Sequence, residues 1–170
     1  EEISSGTFEI LITKPLNANE IFGGKFLGIT FILCICIFMT ILNVVALNSL
    51  LIFDSELDFS FIATSYFGLF LIGLIFISIS LYCSLLFTNQ GASFLVAFIL
   101  CFFQYYFWDF LASLVTNPLT YKIISNIGIK THYLGLSSGL MKLDNISYLL
   151  GLVVIFNILG INQIKKEQHK

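Results

Sequence analysis

Few residues in this 170-residue chain have both the type and the setting to do chemistry, and most of those sit inside apolar sequence. Asp109 is the one acidic residue within a long apolar run, with Gln104 ahead of it and Tyr105, Tyr106 and Trp108 between them. A carboxylate in such a run is a candidate for passing a polar substrate or for holding a neighbouring helix. Counted from Ala92 at helical rise, Asp109 lies about 25 Å along and Gln104 about 18 Å. Asp109 therefore falls near a membrane surface, within a belt of interfacial aromatics. Gln104 is better placed to line a pathway. Asn43 and Asn48, in an earlier run, are further candidates for the pathway, or for hydrogen-bonding glue between helices.

The other reactive types exclude more than they suggest. His132 with Asp109 or Ser137 could be set out as a hydrolytic centre, but no nucleophile motif surrounds it. A lone histidine between apolar runs is expected to be solvated. Cys34, Cys36, Cys83 and Cys101 all lie in apolar stretches. The first two, two positions apart on a helix, point roughly 200° away from each other and cannot chelate one ion together. All four read as small buried hydrophobes, and no metal is expected. Gly24-Lys25 is not a phosphate loop, because Asn19 stands where its first glycine belongs and Phe26 where Ser or Thr would bind magnesium. With no arginine and a net charge of −2, the chain has neither a bidentate phosphate grip nor a nucleic-acid footprint. No catalytic residue and no cofactor of its own are expected.

The elements that must position these residues are membrane helices. Hydrophobic residues make up 58% and charged residues 11%, with mean hydropathy +0.96. Too few charges remain to clothe a water-facing surface. The predicted fold class is all-α, a polytopic transmembrane helical bundle. Its spans cover about 26–53, 59–87, 92–115 and 146–164, each long enough to cross a bilayer. A cytoplasmic loop over residues 1–25 precedes them, an outer segment over 116–145 separates the last two, and residues 165–170 form a polar tail.

Four spans place both ends on one side. Lys14, Lys25, Lys165, Lys166 and Lys170 flank those ends, whereas the first connection carries Asp54, Glu56 and Asp58 and no lysine. Both ends are thus expected in the cytoplasm, although Lys122, Lys130 and Lys142 would then lie outside. Within the outer segment, Pro118 can start a helix, with Leu119, Ile123, Ile124 and Ile127 at helical spacing behind it. One or two short interfacial helices are expected there.

The entry loop is patterned in its own right. Gly6 and Glu9 mark a helix start, Phe8, Leu11 and Ile12 share a face, and Pro15 ends the ladder. Two turns are too short to stand alone in water, so this helix needs a docking partner. Asn17 and Glu20 then cap a second helix that enters the membrane, where Gly24 and Gly28 form a small-residue pair suited to close helix packing.

Glu1, Glu2, Gly6, Thr7, Glu9, the run Ile10-Leu11-Ile12, then Thr13, Lys14, Pro15, Ile21, Gly24 and Lys25 resemble the cytoplasmic loop of ABC-2 type transporter permeases. Farther along, Asn89-Gln90, Cys101-Phe102-Phe103, Asp109, His132-Tyr133, Ser138-Gly139, Asp144 and Tyr148 resemble the gliding-motility-associated permeases of that family. Ser138 stands where that pattern has a basic residue. The resemblance implies a six-span permease of a bacterial inner membrane, whose first two spans would precede Glu1. It implies a separate ATP-binding subunit as partner, a second permease subunit in a homodimer or heterodimer, and ATP held by the partner alone. Gly6, Thr7, Phe8, Glu9, Leu11 and Lys14 would form the coupling-helix contact with that subunit. Export is the implied direction. The competing reading is a membrane scaffold or channel subunit with no ATPase partner, which would have no use for such a helix.

Overall fold

The computed structural model describes residues 17–50, 58–139 and 141–168. Among them the chain is helical, with no strand. Helix α1 covers Ala18–Leu50, α2 Phe59–Leu86, α3 Gln90–Phe102, α4 Trp108–Ser113, α5 Pro118–Ser125, α6 Ile129–Ser137 and α7 Leu143–Gln168. A π-helical turn, Phe103–Phe107, joins α3 to α4. Four stretches are long and apolar enough to cross a membrane: Ala18–Leu47, Phe59–Leu86, Gln90–Ser113 and Leu143–Gln168. The chain is an all-α bundle of four such helices, with two short ones inserted before the last.

Short polar side chains set the helix starts. The Asn17 amide donates to Glu20 Oε2 at 3.0 Å, one arm of a capping box. Asp58 Oδ1 accepts from the amides of Ser60 and Phe61 (3.0 and 3.2 Å), Asn89 Oδ1 from Gly91 and Asn117 Oδ1 from Leu119. Each carboxylate or amide oxygen satisfies a backbone donor that the first helical turn leaves without a partner. Asp58→Ala should therefore cost about 1 kcal/mol, read as a lowered midpoint of thermal unfolding in detergent. An unchanged midpoint would show that α2 does not depend on this cap. Four hydroxyls inside the spans are satisfied locally: Thr40, Thr64, Ser78 and Ser84 donate back to carbonyls three or four residues earlier.

Helix α2 runs through the centre. It buries Leu71, Ile75, Ile79 and Cys83 against Ala97 of α3, Ile129 and Leu136 of α6, and Leu149 and Val153 of α7. A second cluster, Ala18, Ile21, Phe22, Leu81 and Ile164, closes the end of the bundle where α1 begins and α7 finishes. That end is called proximal below, and the opposite one, carrying α5 and α6, distal. The outer faces are bare hydrocarbon: Leu27, Phe31 and Phe94 are each about two-thirds exposed. Such surface is stable only against lipid or further protein.

The glycines mark where α1 is approached within this chain. Among the described residues, nothing lies close to where a side chain would stand on Gly24 or Gly28. They lie two positions beyond Phe22 and Phe26, hence about 200° around α1, and face away from the bundle. The close approaches of α1 to its neighbours are at Gly73, which receives Leu33, and Gly160, which receives the Phe22 ring.

Candidate functional site

The third span is built in two phases. Ala97 is buried, and Cys101 and Tyr105 pack on the main core, each four residues after the last. A spacing of four drifts around an α-helix by about 40° per step. The π turn Phe103–Phe107 adds one residue to a turn and so absorbs the drift. Beyond it, Trp108 and Asp109 are brought onto the α5–α6 hairpin, and Ala112 is fully buried.

Within that turn, Gln104 is held at both ends. Its Nε2 donates to the Ile127 carbonyl (3.3 Å), and its Oε1 accepts from Trp108 Nε1 (3.2 Å). The same Ile127 carbonyl accepts a bond from the Tyr148 hydroxyl on α7. Ile127 lies in the link between α5 and α6, so the third and fourth spans grip one carbonyl together. His132 on α6 completes the cluster. Its Nε2 donates to the Asn126 carbonyl and its Nδ1 faces the Asn145 side-chain amide, both at 2.9 Å. Its ring stacks on Tyr148 with centroids 4.1 Å apart. The expectation of a solvated histidine is thus corrected, because His132 is buried and bonded at both nitrogens.

Asp109 pairs with Lys130 of α6 at 2.5 Å. That hydrogen bond holds the Lys130 ammonium above its ordinary value of 10.5. A group whose value is raised by folding adds stability that is complete below its ordinary value and lost as pH rises through the raised one. The pair should persist at physiological pH and open only in strongly alkaline buffer. Both side chains are about one-third exposed (30% and 34%), so its worth is at most about 1 kcal/mol. Comparing thermal midpoints of wild type and Asp109→Asn from pH 7 to pH 11 checks this, since the small gap between them should close at the alkaline end. A gap that is constant with pH would contradict it.

The sequence candidates separate accordingly. Gln104 and Asp109 converge on the α5–α6 hairpin, each with a named partner. Asn43 stands apart, exposed on α1. Asn48 belongs to α1, and its side chain is outside the described residues, as are Gly6, Thr7, Phe8, Glu9, Leu11 and Lys14. Sequence reasoning gave no place at this site to Trp108, Lys130, Asn145 or Tyr148. A signal existed for Lys130, because a carboxylate at membrane depth calls for a cation and this lysine lies in the next helical segment but one.

At the proximal end, the start of α1 and the end of α7 border a polar crevice of about 630 Å³, lined by Asn17, Ala18, Asn19, Glu20, Lys165 and Gln168. Among the described residues no group of three or more His, Cys, Asp or Glu side chains could hold a metal. The arrangement therefore offers a membrane bundle, a braced hairpin at one end and a polar entrance at the other. The family model described as "ABC-2 family transporter protein" matches residues 1–166. The chain belongs to the ABC-2 transporter family. It is a multi-pass membrane permease subunit of an ABC transporter, a class that works with an ATP-binding subunit. No curated protein and no solved structure gives a significant match to this permease.

Proposed function

We infer that the permease forms half of an exporter pore in a bacterial inner membrane, with both ends of this chain in the cytoplasm. A separate ATP-binding subunit takes the segment Gly6–Lys14 into a groove and drives it. The observation that carries this reading is the capped start of α1, which follows Pro15 closely in the sequence. Pro15 is followed after one residue by Asn17, whose amide is already capped by Glu20 as α1 begins. A displacement of the preceding segment would pass directly into a 33-residue helix, which is about 50 Å long. Phe22 seats that helix on α7 at Gly160, so the push would reach two spans. The orientation gains support from the Lys130–Asp109 pair, which neutralises one of the lysines that count against it.

The test lengthens the tether. Inserting four glycines between Leu16 and Asn17 should leave the ATP-binding subunit bound but break the transmission, since a flexible linker carries little force. In wild type the permease should stimulate ATP hydrolysis by the bound subunit severalfold, and in the insertion variant it should not. Equal responses in both proteins would remove the coupling role.

From Phe31 to Leu47, α1 is exposed except at Leu33, Ile37 and Val44, which leaves a surface for the second permease subunit. The finer assignment to gliding motility rests on the residue resemblance from Asn89 to Tyr148. Gene deletion in a gliding host should stop surface spreading, and normal spreading would discard that assignment.

A further inference from the structure

The side-chain bonds between elements described above gather at the distal end, and most meet on one short link. Asn126, Ile127 and Gly128 join α5 to α6. Gln104 and Tyr148 both donate to the Ile127 carbonyl, His132 donates to that of Asn126, and the Trp108 side chain packs so close to Gly128 that a Cβ there would stand 3.1 Å from it. The two helices so gripped have 8 and 9 residues. Helices of that length do not persist alone, so their position is set by this grip, by the Lys130–Asp109 pair and by the packing of Ile129 and Leu136 on α2.

The π turn decides whether Gln104 takes part. A π turn is one residue inserted into an α-helix. Its removal by local rewinding turns the residues on one side relative to the other by about 100°. Gln104 lies inside the turn and Trp108 begins the helix just after it. Rewinding would therefore swing Gln104 off the Ile127 carbonyl and part it from Trp108, with no break in the chain's helical path across the membrane.

We propose that the π turn Phe103–Phe107, with Gln104 and Tyr148 on the Ile127 carbonyl, is a latch that holds the α5–α6 hairpin over the distal end of the bundle and releases it in one nucleotide state of the transporter. The proposal rests on the permease reading, since the switch between states comes from the ATP-binding subunit. Gln104 is then a positioning residue for the hairpin, and the pathway role expected from its depth is replaced by control of access. The device is bistable because the two backbone forms differ by a single hydrogen-bond register.

The test is amide hydrogen exchange on the full-length permease with its ATP-binding subunit in lipid nanodiscs, comparing the nucleotide-free and vanadate-trapped states. Exchange reads local opening directly. In wild type, peptides covering 103–108 and 118–137 should change together between the two states, by tenfold or more in rate. In Gln104→Leu, which keeps the volume and removes the bonds, the 118–137 peptides should exchange fast in both states. Tyr148→Phe, which keeps the ring on His132, should move them in the same direction, so the reading does not depend on one variant folding. A static brace would give a fast hairpin in the variants but no dependence on nucleotide in wild type. That outcome, in a complex that hydrolyses ATP, overturns the latch and leaves the permease reading standing. If no ATP-binding subunit associates, the latch falls together with that reading.

Discussion

Gly160→Leu should detach α1 from α7 and lower the stability of the bundle by about 1–3 kcal/mol or more, the usual range for an overfilled contact. Gly160 is buried on α7, and the space its side chain would occupy already holds the Phe22 ring. Phe22 cannot retreat cheaply, because it is itself buried in the proximal cluster with Ala18, Ile21, Leu81 and Ile164. Inside a bilayer there is no hydrophobic gain to restore, so close van der Waals packing is what such a contact contributes, and a leucine there forfeits it. The measurement is the thermal midpoint in detergent and the recovery of monodisperse protein, both of which should fall. Gly28→Leu serves as the control. Among the described residues nothing approaches Gly28, so the monomer should keep its midpoint. If the control loses stability and Gly160→Leu does not, the packing described for α1 is wrong.

Glu9→Lys should abolish productive contact with the ATP-binding subunit while leaving membrane insertion intact. Glu9 lies three residues after Gly6, in a segment outside the described residues whose spacing predicts two helical turns with Phe8, Leu11 and Ile12 on one face ahead of Pro15. A carboxylate in a first helical turn is favoured by the helix dipole, and a lysine there opposes it. Reversing a charge at a desolvated contact commonly costs 2–5 kcal/mol, and each 1.4 kcal/mol is about tenfold in affinity. The affinity of the purified permease for its ATP-binding subunit should therefore fall by about thirtyfold or more. Binding equal to wild type would take Glu9 out of the contact.

Much of the architecture could be read before the structure, for physical reasons that apply residue by residue. Apolar runs of this length have one stable form in a bilayer, because only a helix satisfies its own backbone there. Asn17, Asn117 and Pro118 carry local capping chemistry that needs no tertiary context. What escaped reading depends on contacts distant in sequence. The glycines that receive α1 side chains, Gly73 and Gly160, carry no motif spacing and are chosen by how α1 is rotated against α2 and α7. His132 looked solvated because Asn145 and Tyr148, its partners, lie 13 and 16 residues on in the next helix. The π turn left a faint trace in the repeated four-residue spacing of Ala97, Cys101, Tyr105 and Asp109. Three such steps overrun an ideal helix by about 120°, which a continuous α-helix could not keep on one face.

The central claim, that this permease works under a separate ATPase, is tested most directly by co-purification. Full-length protein carrying an affinity tag is solubilised in mild detergent, and the ATP-binding proteins that remain bound are identified and assayed for hydrolysis. A stoichiometric ATP-binding subunit whose activity depends on the permease is the predicted result. A folded, monodisperse permease that retains no ATPase under any detergent preserving its fold would contradict the account, and would make the scaffold or channel reading the leading one.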